Sequence, residues 1–217
     1  MLGPKQKNLI TGLLPSFAVS IPAVGRLEPQ TLFRMSPRST WLEIGFGGGE
    51  HLAAQAEVHP DVCFIGCEVF ENGIAKLLAQ IELRHLKNIR IFDNDARLIM
   101  SVLPPASIDR VFILFPDPWP KRRHHKRRIV SPQTLDTLAK IMTDNSELRL
   151  ATDDPGYLCW MLQHVTDHPE FEWLARRAAD WREPPLDWPR TRYEQKARAA
   201  GRLPSFLRVR RRARIGR

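Results

Sequence analysis

The chain has 217 residues, 43% of them hydrophobic, enough for one α/β domain with a sizeable core and too apolar for a disordered chain. A formal net charge of +9 points to anionic partners, with nucleic acid first and an anionic membrane surface second. Three cysteines offer no disulfide framework and no apolar run is long enough to span a bilayer, so the expected location is cytoplasmic.

Residues 1–38 are broken by prolines and carry Lys5, Lys7, Arg26, Arg34 and Arg38, so they read as a basic, partly irregular arm. Residues 39–217 read as a single domain with a basic C-terminal tail. A strand–helix rhythm begins with a strand from Thr40 to Gly45 and a helix from Glu50 to Val58. A strand from Val62 to Glu68, a helix from Asn72 to Arg84 and a strand from Asn88 to Phe92 continue it. A short helix from Ala96 to Leu103 and a strand from Asp109 to Phe115 come next. Ser131 as N-cap, with Pro132 in the first turn, starts a helix to about Thr143. After a strand from Glu147 to Thr152, Asp154-Pro155 repeats that signal for a helix to about Asp167. The stretch 176–204, rich in Pro, Arg and Trp, reads as a long loop, and Pro204 to Arg212 as a last strand. This alternation predicts an α/β fold with a doubly wound, mostly parallel, Rossmann-like sheet. Cys63 and Cys67 share a strand face and read as buried free thiols. No second Cys/His pair stands at ligand spacing, so no metal site is expected.

Glu43-Ile44-Gly45-Phe46-Gly47-Gly48-Gly49-Glu50 ends the first strand and opens the first helix, where glycines let the backbone turn and approach a ligand. A dinucleotide fingerprint calls for glycine where Glu50 stands. Carboxylates at both ends of the loop suit an ammonium or sulfonium group better than a pyrophosphate, and S-adenosylmethionine carries both. Glu68, ending the second strand, is placed to accept ribose hydroxyls, a signal that NAD sites share. Asp95 is placed either for an adenine amino group or as N-cap of the next helix.

The run Val111 to Phe115 leads into Pro116-Asp117-Pro118-Trp119-Pro120-Lys121. The prolines fix the backbone around Asp117, which makes it a positioned carboxylate beside the expected cofactor; a surface turn with a packed tryptophan is the plainer reading. Trp119 offers a stacking face for a base. Six of the eight residues from Lys121 to Arg128 are Lys or Arg, read as a phosphate clamp rather than a solvated loop or localisation signal. Arg208, Arg210, Arg211, Arg212 and Arg214 form a second cluster, in a tail that reads equally well as disordered. Asp153 is an N-cap neighbour or a substrate contact. Thr191-Arg192-Tyr193-Glu194 combines cation, aromatic and acid in one short stretch.

Together, Glu43 to Glu50, Phe115 to Lys121, Thr152-Asp153 and Thr191 to Glu194 resemble the bacterial tRNA (guanine-N7-)-methyltransferase family over about residues 40 to 210. The Asp-Pro-Trp-Pro-Lys segment with its basic continuation is the specific part. The resemblance implies a class I methyltransferase fold and S-adenosylmethionine as donor. It implies N7 of the variable-loop guanosine, tRNA position 46, as acceptor. Glu43, Glu68, Asp95 and Asp117 match the family's cofactor-binding acids, with Gly45, Gly47 and Ala96 beside them on the expected cofactor site. Asp117 also matches its proposed catalytic residue. Lys121, Asp153, Thr191, Arg192, Tyr193 and Glu194 match its substrate-binding positions. The expected partner is tRNA, with neither membrane nor metal; monomer and homodimer are both open. Two other classes are a methyltransferase acting on a protein or small molecule, and a non-catalytic RNA-binding protein, which the row of acids disfavours. Glu50 disfavours a dehydrogenase.

Overall fold

The computed structural model describes residues 2–34, 37–189 and 192–214, without the side chains of Arg192, Tyr193, Lys196 and Arg198. The strands are β1 (Ser39–Ile44), β2 (Val62–Cys67), β3 (Ile89–Phe92), β4 (Ile108–Leu114), β5 (Met142–Thr152), β6 (Phe171–Trp173) and β7 (Ser205–Arg211). They form one seven-stranded sheet in the order β3-β2-β1-β4-β5-β7-β6. β7 is antiparallel to both its neighbours and the other pairings are parallel. The strand order reverses between β1 and β4, the place where open α/β sheets bind ligands beyond their carboxyl ends.

The whole of β2 is buried, as a central parallel strand covered on both faces requires. Val62 and Phe64 face a core shared with α1 (Pro4–Gly12), α2 (Glu50–Val58) and α3 (Glu71–Arg84). Cys63, Ile65 and Cys67 face the other core, shared with α4 (Ala96–Val102), α5 (Pro132–Ile141) and α6 (Pro155–Asp167). The caps read from the sequence form: Ser131 Oγ accepts the Thr134 N–H at 3.3 Å and Asp154 Oδ1 the Tyr157 N–H at 2.7 Å. Ahead of β1, α1 packs on α3 through Leu9, and the chain then lies along β3. There the Ile91 N–H donates to Phe17 O and the Val19 N–H to Ile91 O, both at 2.8 Å, covering a strand edge. No described helix is long and apolar enough to cross a membrane.

Four stretches differ from the sequence reading. α5 ends at Ile141 and β5 begins at once, because the polar run Thr143 to Ser146 is a bulge: Asn145 takes φ 63° and the ladder slips between Ile108 and Arg110. The stretch 176–204 holds α7 (Ala179–Arg182) and α8 (Arg192–Ala199), and β6 pairs with β7 although it has only three residues. The C-terminal arginines are structural. Arg211 Nε donates to Ala139 O, and Arg214 Nη2 to the carbonyls of Ala139, Lys140 and Met142, completing the C-terminal end of α5. Arg208 pairs with Glu147 and Arg210 with Glu172, at 2.6 and 2.9 Å.

Candidate active site

A cleft of about 1140 Å³ opens over the carboxyl ends of β1 to β4, lined by the glycine loop, Glu43, Glu68, Asp95, Ala96 and Asp117. The glycine loop sets its floor. Gly45 and Gly47 both have positive φ, and a Cβ on either would meet no atom within 4 Å, so the loop faces open space. The underside is tight: Gly49 has φ 71°, and a Cβ there would lie 2.6 Å from Leu77 Cδ1. Gly73, on α3, lies so close to the loop that a Cβ would sit 2.3 Å from Gly47 O.

Glu68 holds this loop. Its Oε2 accepts the Gly47 N–H at 2.8 Å, and its Oε1 accepts the N–H groups of Val69 and Phe70. Three bonds leave one of a carboxylate's roughly four acceptor positions for a ligand hydroxyl. Glu43 is 3% exposed, and the His51 Nδ1–H donates to its Oε2 at 2.6 Å. Asp95 Oδ1 caps α4 through the Arg97 N–H and Oδ2 pairs with Arg97 Nη1 at 3.0 Å, so the capping role is real and the carboxylate still lines the cleft.

Asp117 stands exposed at the cleft rim; among the described residues no hydrogen bond or ion pair engages its carboxylate. Its loop is fixed at both ends. Phe115 and Trp119 take φ of 51° and 43°, a strained setting for bulky residues. The Phe115 N–H donates to Ala151 O at 2.7 Å, and Arg128 Nε to Pro118 O at 2.8 Å. Arg128 is buried, its guanidinium 5.0 Å from the Tyr157 ring centroid and 4.8 Å from that of Trp160. It therefore belongs to the loop's support and not to the phosphate clamp. Arg127 lies 4.8 Å from the Trp119 ring centroid, so one cation of the cluster is already on the stacking face assigned to a base. Lys121, Arg122, Arg123 and Lys126 are exposed.

Comparison with known proteins gives this geometry its family. A family model described as a putative methyltransferase matches residues 37–205. The tRNA (guanine-N(7)-)-methyltransferase of Paramagnetospirillum magneticum is 53% identical over 95% of this chain and 87% of its own length. The protein of the same name from Rhodospirillum rubrum is 49% identical over 96% and 83%. This chain belongs to the tRNA (guanine-N(7)-)-methyltransferase family. Among solved structures, the 16S rRNA methyltransferase KamB superposes with a TM-score of 0.60 over 82% of this chain and 89% of its own; at 15% identity that likeness concerns the class I methyltransferase fold alone.

Of the remaining family positions, Asp153 is tied to the end of α8, because Arg202, whose N–H donates to Ala197 O at 2.9 Å, also reaches its carboxylate. Asp153 Oδ2 accepts from Arg202 Nε at 2.6 Å. Thr191 lies outside the described residues, and Arg192 and Tyr193 are placed only by their backbone in α8. Glu194, in the first turn of α8, is buried, and its Oε2 accepts the Trp188 indole N–H at 3.1 Å. Two residues of the methyltransferase cleft were missed by sequence reading. His51 shows no marker beyond following Glu50, and its partner Glu43 lies on another element. Trp188 sat in a supposed loop. The segment 183–189 is a strap: Asp187 pairs with Arg149 at 2.9 Å and Arg110 at 3.7 Å, and Gln55 Nε2 donates to Asp187 O at 2.9 Å. Burial works against the Asp187 and Arg149 charges. The pairing outweighs it, holding the acid below and the guanidinium above their ordinary pKa values.

Proposed function

We propose that this protein transfers the methyl group of S-adenosylmethionine to N7 of the variable-loop guanosine, position 46, of tRNA, in the cytoplasm. The observation that carries the reading is the exposed, rigidly held Asp117 between a carboxylate-lined cleft and a cationic surface turn, in a chain whose relatives are named for this reaction. The cleft suits the donor: Glu43 lines it and would hold an ammonium group, Glu68 keeps an acceptor for a ribose hydroxyl, and the upper side of the glycine loop is open.

The donor, when bound, supplies an electrophilic sulfonium methyl. Guanine N7 offers a lone pair and has no proton to lose, so the protein needs no general base. With the donor held by Glu43, Glu68 and the glycine loop, its methyl would pass to N7 while the bonding pair stayed with sulfur, so that the positive charge would arrive on the purine. Asp117 stabilises that arriving charge, or holds the guanine by its N1–H and amino group. Lys121, Arg122 and Arg123 hold nearby phosphates, which fixes the base without specifying sequence. Alignment of N7 with the methyl group supplies much of the remaining acceleration.

The test incubates the protein with labelled S-adenosylmethionine and unmodified tRNA carrying a variable-loop guanosine, then locates the label by base-specific cleavage. Label at N7 of that guanosine is expected. Confirmed cofactor binding with no label on tRNA would overturn the reading and shift weight to a protein or small-molecule acceptor.

A further inference from the structure

Two buried residues of the cleft wall take no part in the reaction as derived so far. His51 is 3% exposed; its Nδ1–H is used by Glu43, and among the described residues its Nε2 has no hydrogen-bond partner. The ring packs instead between two aromatic rings, 4.7 Å from Phe112 and 5.4 Å from Trp188, centroid to centroid. Trp188 stands edge-on to Phe206 at 4.9 Å, and its Nε1–H donates to Glu194. Glu43, His51, Trp188 and Glu194 thus form an unbroken series from the end of β1 to the first turn of α8. One end is a cofactor acid, and the other lies in the segment assigned to the substrate.

An unpaired ring nitrogen in an apolar wall costs stability, so solvating Glu43 does not by itself explain the histidine. Its orientation does: the same ring that bonds Glu43 forms a wall for Trp188. Trp188 and Pro189 also line the cleft, so a donor seated against Glu43 would share one cavity with the strap. We infer that His51 and Trp188 are positioning residues that couple donor binding to tRNA engagement: the donor fixes Glu43, His51 and the strap, and Trp188 then holds α8 by Glu194. The inference rests on the functional reading above. By linkage, tRNA bound on α8 strengthens donor binding by the same factor. Both ligands favour the docked strap, which is the condition for any such coupling.

S-adenosylhomocysteine, which has no methyl to transfer, is titrated calorimetrically into the full-length protein alone and with saturating unmodified tRNA. In the wild type, tRNA should tighten its binding at least about 5-fold. In Trp188→Phe, which keeps a ring against His51 and loses the N–H to Glu194, that factor should fall below about 2. His51→Gln, at the other end of the series, should lose it too and decides the matter if Trp188→Phe melts before the measurement. A packing role alone would shift the melting temperature and leave the ratio of the two affinities where it was. A wild-type factor of 1, or a folded variant keeping the wild-type factor, overturns the coupling. The methyl-transfer assay on the wild type keeps the two readings apart. No methyl on tRNA overturns the function on which this inference rests, whereas transfer without coupling overturns the coupling alone.

Discussion

Asp117 stands at the rim of the cleft on a loop with left-handed residues on both sides, and that strain is tolerated because Ala151 and Arg128 hold the loop's ends. A carboxylate fixed in this way needs little reorganisation when charge develops on the purine. Asp117→Asn keeps its shape and removes its charge. The single-turnover methyl-transfer rate at saturating donor and tRNA should fall about 10²-fold. A rate equal to wild type would sink the electrostatic role. Arg128 acts on the same loop from behind. Arg128→Lys loses the guanidinium contact with Tyr157 and Trp160 and the geometry of the bond to Pro118, so it should slow transfer while the protein still binds tRNA.

The glycine loop and the strap shape the cleft as elements. Beneath the loop, Gly49→Ala would combine an unfavourable left-handed backbone with a collision against Leu77, a loss of about 2–4 kcal/mol read from denaturant unfolding. An unchanged midpoint would mean that α3 withdraws more easily than its packing suggests. The strap depends on charge. The Asp187 pKa is held below its ordinary value through Arg149, so its contribution to folding is present above about pH 4 and is lost as the pH falls through the lowered pKa. As the pH falls below about 4, the wild-type melting temperature should therefore fall more steeply than that of Asp187→Asn. Parallel curves would show that the pair, half-exposed on the acid's side, adds nothing measurable.

Across the whole molecule, the net charge of +9 divides into cations that hold the fold and cations that face solvent. Arg128, Arg149 and Arg211 are buried and engaged, while Lys121, Arg122, Arg123 and Lys126 are exposed beside Asp117. Only the second group releases counterions when RNA binds. In a plot of log affinity for tRNA against log salt, Arg122→Ala and Arg123→Ala should each reduce the slope by about 1. Arg128→Lys, which keeps its charge inside the protein, should leave the slope unchanged. Equal slopes for wild type and the two alanine variants would place the RNA on another face.

The amino-acid order alone determined the strand–helix rhythm, the caps at Ser131 and Asp154, the glycine loop and the Asp-Pro-Trp loop. Each depends on local demands: side-chain period, an acceptor beside free N–H groups, or a backbone angle that few residues take. The polar run Thr143 to Ser146 misled because a bulge replaced regular alternation, and β6 went unread because three residues are too few to show a period. Tertiary structure alone decided the division of labour among like residues. The cluster from Lys121 to Arg128 is uniform in sequence, yet burial against Tyr157 and Trp160 sets Arg128 apart. Glu43 and Glu194 read as acids for two different ligands, and only packing shows His51 and Trp188 bonded to them and in contact with each other. A side chain's charge is written in the chain, but what that charge does depends on its distance from water and from partners on other elements, and only packing sets those distances.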